Sequence, residues 1–241
     1  MLQGAFAVLQ QVATRGEAGL SELAAATGVP KATVHRLLDQ LVGLGIVHRG
    51  PGGRYRVGVR AFCLGQAWDP APVLRSAAAA PVRRLAAATG DSVCLAVMES
   101  ADAVTVAGMF GRADEVISLR PGEVLPPATA TEAVISAARP ALTVPRGSSR
   151  AEWGRRVRYA RDHGYAFDLE TTAVPVACVA APVRAPGGTV VAAVGVVVLE
   201  PRRLRELAAP VRDTADKISA NLGRVPGAGR VLAPLAGMEN C

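Results

Sequence analysis

The chain has 241 residues, half of them hydrophobic and a fifth charged, which fits a globular protein of two ordinary domains rather than a disordered or membrane-spanning chain. Its net charge of +7 is uneven: residues 1–60 hold seven Lys/Arg against three acids, so a small basic region precedes a larger, nearly neutral one. That asymmetry points to a polyanion partner for the first region.

Residues 2–16 carry apolar side chains at Leu2, Ala5, Phe6, Leu9, Val12 and Ala13, a helical stripe that stops near Gly16. With no basic leader ahead of it, the expected compartment is the cytoplasm. A second helix, 21–27, opens on Ser21 as its N-cap and closes at Gly28, which suits the left-handed turn after a helix. Pro30 fits the first turn of a third helix that reaches about Leu44 and ends at Gly45. Two short alternating segments around Gly50-Pro51-Gly52-Gly53 predict a β-hairpin. Three helices and a hairpin in 58 residues describe a winged helix.

On a wheel of about 100° per residue, Val34, Leu37, Leu38 and Leu41 form one arc of the third helix and belong to a core. The remaining arc offers Ala32, Thr33, His35, Arg36 and Gln40, with Lys31 at the start. These are side chains that read base edges in a major groove and hold phosphate. Asp39 also faces outward and opposes phosphate. Arg49, Arg54 and Arg56 make the hairpin basic, and Ser21 joins them as a candidate DNA contact at the start of the second helix.

Residues 59–72 read as a linker helix broken by DPAP, and 73–90 as a helix with Pro81 inside it as a start or kink. The period then changes. Segments 92–100, 103–110 and 115–120 alternate like strands, 129–138 and 149–164 read as helices, and 176–185 with 189–200 as a hairpin of core strands. Residues 202–222 form a closing helix, and the Gly/Pro-rich 223–241 is expected to be a flexible tail. The fold class is α+β. Cys63, Cys94, Cys178 and Cys241 lack metal-ligand spacing, so neither a metal nor a cofactor is expected. No phosphate-binding glycine motif, nucleophile elbow or HExxH occurs.

The stretch LSELAAATGVPKATVHRLLDQLVGLGIVHRGPGGRYRVGVRAFCLG resembles the winged helix and linker of IclR-family transcription regulators. LAAATGDSVCLAV (85–97), LPPATATEAV (125–134), HGYAFDLE (163–170) and CVAAPVRAPGGTVVAAV (178–194) extend the resemblance to about residue 222. It implies a DNA-binding winged helix over 1–58 and a GAF-like effector-binding and oligomerisation domain over 73–222. It further implies a repressor-type regulator that binds a palindromic operator as a homodimer or dimer of dimers and answers to a small effector. The family's effector positions carry over to Thr129, Asp168, Cys178, Gly195 and Val197. Family residues are replaced at Glu132-Ala133 (usually Gly-Lys), at Pro175 (usually Gly), and at Gly195 and Val197 (usually serines). Gly195 is expected to open space and Val197 to make the wall apolar, with Met98, Met109 and Phe110 adding lining for a larger, partly apolar effector rather than a small carboxylate. Two alternatives stand beside this reading. One is a domain that only dimerises. The other is a winged helix fused to an enzyme in the manner of biotin ligases, which the scarcity of lysine (Lys31 and Lys217) disfavours.

Overall fold

The structure is a computed structural model and describes residues 1–99, 102–139, 143–169 and 176–236. The chain divides into two compact units, 1–69 and 70–241, so the boundary falls inside the expected linker.

In the first unit, α1 (Leu2–Arg15), α2 (Leu20–Thr27) and α3 (Lys31–Gly43) precede a hairpin of β1 (Val47–Arg49) and β2 (Tyr55–Val57), then α4 (Val59–Gln66). Its core is a single cluster: Val8 and Val12 of α1, Leu23 of α2, Val34, Leu37, Leu38 and Leu41 of α3, and Val47 and Tyr55 of the hairpin. The turn from α2 to α3 rests on Gly28, whose φ of 67° is the left-handed conformation glycine adopts without steric penalty. Its N–H donates to the Ala24 carbonyl at 3.0 Å. Two helix starts differ from the sequence reading. Gly19, not Ser21, is the N-cap of α2, because Glu22 reaches back to accept the Gly19 N–H at 3.0 Å. Pro30 is the cap of α3 rather than its first residue.

The second unit begins with α5 (Pro70–Thr89), which runs on through Pro81. A five-stranded antiparallel sheet of order β4-β3-β7-β6-β5 forms its middle. The strands are β3 (Ser92–Glu99), β4 (Asp102–Met109), β5 (Ala166–Leu169), β6 (Ala177–Arg184) and β7 (Val190–Val198). On one face, α6 (Ala130–Ala137) and α7 (Arg150–His163) bury Trp153, Val134 and Val157 against Ala96, Cys178, Ala180 and Val197. On the other face pack α5 and α8 (Leu204–Gly223). Strands buried on both sides explain the near-continuous apolar runs of β3 and β7.

Three expectations change here. Residues 115–120 form no strand, because the chain leaves β4 through a 3-10 turn at Arg112–Glu115. It pairs with the edge of β4 at 122–125, where the Gly122 N–H donates to Thr105 and the Leu125 N–H to Ala103. Residues 166–169, unassigned in the sequence, form β5, which among the described residues is an edge strand paired with β6 alone. The expected flexible tail contains α9 (Ala228–Ala236), whose Ala228, Leu232 and Leu235 recur at helical spacing and are buried in the same unit as β7 and α5. Pro175, noted as a departure in the sequence, and Cys241 lie outside the described residues.

Candidate nucleic-acid interface and effector cavity

On α3 the division into two arcs is physical. Val34, Leu37, Leu38 and Leu41 are at most 9% exposed, whereas Lys31, Ala32, His35, Arg36 and Gln40 are exposed and Thr33 is half-buried. Lys31 and Arg36 have no hydrogen-bond or ion-pair partner among the described residues, so both cations meet solvent. His35 Nδ1 lies 3.1 Å from Asp39 Oδ2, one helical turn away. Gln40 sits at the rim of an apolar hollow of about 540 Å³ formed by α1, α3 and α4, to one side of the polar arc.

The hairpin arginines separate into different roles. Arg56 is exposed and unpartnered among the described residues, and Arg49 lies over the Tyr55 ring at 5.7 Å. Arg54 is committed elsewhere: it donates to both Glu22 oxygens at 3.2 and 3.1 Å and to the Glu17 carbonyl at 3.2 Å. This ties the hairpin to α2 and leaves Arg54 less able to reach a phosphate than the sequence suggested. The Gly19 N–H, and then Arg54, hold the Glu22 carboxyl below its ordinary range. Ser21 is exposed in the first turn of α2.

In the second unit, the registers Asp168↔Cys178 and Cys178↔Val197 set three predicted residues in one row across β5, β6 and β7. Together with Thr129, the N-cap of α6, they line a cavity of about 20 Å³, room for about one water. Cys94, Thr131 and Val176 complete the wall, and Ile117, Leu119, Leu125 and Pro126 cover it. Thr131 escaped the sequence reading although it stands inside the quoted TATEAV. Two hydroxyls at the start of one helix were the available signal.

The remaining predicted residues lie elsewhere. Gly195 does not open space: a Cβ there would meet Thr131 Oγ1 at 3.2 Å and Cys178 Sγ at 3.3 Å, so the glycine lets α6 settle onto the sheet. Met98 is buried in the same core but does not reach the cavity. Met109 and Phe110, at the far end of β4, are exposed, with Arg120 over the Phe110 ring at 6.0 Å. They cannot line an interior site.

Burial pushes the Cys94 thiol up to about 12 and Cys178 well above its ordinary value, so both are neutral, small apolar groups near pH 7. Glu132, one of the departures, is 4% exposed and accepts the Ala128 N–H at 2.6 Å, while Ala128 itself holds a positive φ of 64°. Burial raises the Glu132 carboxyl to about 7. Among the described residues no group of three His, Cys, Asp or Glu could hold a metal ion, and no helix is long and apolar enough to cross a membrane.

The IclR helix-turn-helix domain family matches residues 2–51, and the family of the bacterial transcriptional regulator IclR C-terminal matches residues 71–220. The chain belongs to the IclR family. As an IclR-family protein it is a DNA-binding transcriptional regulator with a C-terminal effector domain. It is 33% identical over 225 residues to the glycerol operon regulatory protein of Streptomyces griseus, covering 85% of this chain and 89% of that one. Over 90 residues, 37% of this chain and 33% of the other, it is 33% identical to the acetate operon repressor of Salmonella typhimurium. Among solved structures it shares its fold with an IclR homolog from Microbacterium hydrocarbonoxydans complexed with 4-hydroxybenzoate. The TM-score is 0.73 at 21% identity, covering 93% of this chain and all of that one.

Proposed function

We propose that this IclR-family regulator reads a palindromic operator with the exposed arc of α3 and represses transcription until a small, partly apolar effector enters the C-terminal cavity. The observation that carries the reading is the pair Lys31 and Arg36, unpaired among the described residues, beside Ala32, Thr33 and His35, on a helix whose opposite arc is wholly buried. Arg36 supplies the fork that guanine accepts, Thr33 and Ala32 suit a thymine methyl, and Lys31, Arg49 and Arg56 hold phosphate. Gln40 and Ser21 serve at the margins of this contact.

A homodimer, or a dimer of dimers, matches a two-fold operator. The apolar hollow of the first unit, ringed by exposed Phe6, Leu44 and Leu64, supports self-association through that face. The protein acts in the cytoplasm and catalyses no reaction. The repressor named among the relatives supports the negative sense of control.

Footprinting on the DNA upstream of the protein's own gene tests this. The expected result is protection of a symmetric site that weakens steeply with salt. Equal affinity for that fragment and for random DNA would sink it. The small volume of the cavity favours a second reading, in which the C-terminal unit only dimerises. Operator affinity that no small molecule shifts would select that reading.

A further inference from the structure

We propose that the C-terminal unit holds a second ligand site, a cleft between β5 and the start of α8, and that it takes a flat aromatic molecule carrying one negative charge. The cleft lies on the opposite side of β5 from the cavity at Asp168. Successive residues of a strand face opposite ways. Ala166 and Asp168 turn toward the core under α6, whereas Phe167 and Leu169, with Tyr165 just ahead of them, line the cleft. Size separates the two spaces. The cavity at Asp168 has room for about one water. The cleft measures about 550 Å³, within the range of sites that enclose small organic molecules.

The walls are aromatic and apolar: Tyr159 of α7, Tyr165, Phe167 and Leu169, and Pro201 and Leu204 where α8 begins. The rings are fixed against one another. Tyr165 meets Phe167 edge to face at 5.1 Å and Tyr159 at 5.8 Å, and His163 stacks on Tyr159 at 4.0 Å. The Tyr159 and Tyr165 hydroxyls bond each other at 3.2 Å, so their polar ends are engaged and ring surface is what they offer. Aromatic faces and edges suit a flat, conjugated ligand better than a branched aliphatic one.

Charge sets the rest of the ligand. Arg202 and Arg205 complete the lining, which contains no acid. The two are not equivalent. Arg202 donates to Glu200 Oε2 at 3.1 and 2.8 Å, and that carboxylate offsets its charge. Arg205 is exposed and makes no hydrogen bond or ion pair among the described residues. Its charge nevertheless reaches the aromatic wall. The Tyr165 hydroxyl, and then burial, hold the Tyr159 phenol above its ordinary value, and Arg205 acts on it in the opposite sense. One uncommitted guanidinium beside a cluster of rings suits one carboxylate, which it can hold through two parallel bonds. A cationic ligand is repelled. A second copy of the chain fits less well, because a two-fold contact here sets these arginines against their own images. The cleft also has a route to the rest of the unit. Arg156 of α7 donates to the Phe167 carbonyl at 3.4 Å and lies 3.7 Å from Asp168 Oδ1, so a ring lodged against Phe167 acts on the strand that carries Asp168.

Cinnamate, cinnamamide and cinnamylamine share one flat skeleton and differ in charge. Calorimetric titrations of the full chain are expected to rank cinnamate tightest, by about tenfold over the amide, with the amine weakest. Arg205→Gln should weaken cinnamate about tenfold and leave the amide within about twofold. Arg202→Gln should change either by no more than about twofold, since Glu200 already engages that side chain. Both variants alter exposed side chains, and unchanged melting temperatures would show that the fold is kept. The assignment is overturned if the amide or the amine equals cinnamate, if Arg205→Gln binds cinnamate undiminished, or if the wild type binds none of the three. In that last case, a smaller sedimenting species for Leu169→Asp, on the exposed rim, would give the face to a second copy instead. Binding is read on the protein without DNA, so the outcome is independent of how α3 meets the operator and of what enters the cavity at Asp168.

Discussion

The polar arc of α3 and the wall of the effector cavity use overlapping chemistry, threonine hydroxyls and charged groups, in opposite surroundings. On α3 these groups stand outside a finished core, and Lys31 and Arg36 make no hydrogen bond or ion pair among the described residues. In the cavity Asp168, Thr129, Thr131 and the nearby Glu132 are each at most 7% exposed, and the bonds of Thr129 and Glu132 close the first turn of α6. The difference teaches where function and stability can be separated. A residue on the arc can change the DNA contact without disturbing the fold, whereas Thr129 and Glu132, which close the start of α6, cannot be changed without touching both.

The largest expected effect tests whether the two arcs of α3 are separable. Leu38→Ala removes a fully buried side chain from the small core of the first unit and should cost about 2–5 kcal/mol. Chemical denaturation should show early unfolding of this unit, with DNA binding lost alongside. If stability is unchanged, the buried arc is misplaced, and the comparison with its outer neighbour Arg36 fails.

Next in size is the buried carboxyl. Glu132 titrates near 7 in the folded chain and near 4.5 when exposed, so between those values the folded state binds the extra proton. Its contribution is fully present below about pH 4.5 and is lost as pH rises through 7, by about 3 kcal/mol at most. Arg156 and Asp102 are the charged groups that act on it, in opposite directions. Glu132→Gln keeps an acceptor for the Ala128 N–H and removes the titration. Melting temperatures from pH 5 to 8 should fall more steeply for wild type than for the variant, and parallel curves would contradict the burial argument.

The same contrast explains what could be read from the sequence. The α3 stripe, the Gly28 turn and the long strands β3, β6 and β7 were legible because each depends on neighbours within a few residues. Asp168, Cys178 and Val197 meet only through strand register, and their meeting was anticipated from the family resemblance, not from spacing. Where neither helped, the reading failed. Met109 and Phe110 alternate like core residues yet lie at an exposed strand end. Gly195 looked like space because its filling comes from Thr131 on another element. The stripe of α9 was hidden by the Gly/Pro composition around it. Arg54 had the right charge for DNA but its acids, Glu17 and Glu22, lie 37 and 32 residues away.

Arg36→Ala sharpens the outer half of the comparison. It should weaken specific operator binding by about 1–3 kcal/mol, measured by gel shift against a random-sequence control, with no change in melting temperature. Undiminished binding would move the reading surface off α3.

The smallest effect concerns Asp39, the one acid on this surface. It lies beside His35 and is exposed, so the pair contributes no more than about 1 kcal/mol to stability, and Asp39→Asn should leave the fold intact. Its effect on DNA should nonetheless be measurable. An acid facing a phosphate backbone opposes binding, and the opposition is screened over about 10 Å at 0.1 M salt. The variant should therefore bind operator and random DNA a few-fold more tightly at low salt, with the gain shrinking as salt rises. Because the gain does not depend on sequence, it separates charge from base reading, which Arg36→Ala tests. If Asp39→Asn binds no better at low salt, then this flank of α3 points away from the backbone and the docked helix is rotated toward Thr33 and Gln40.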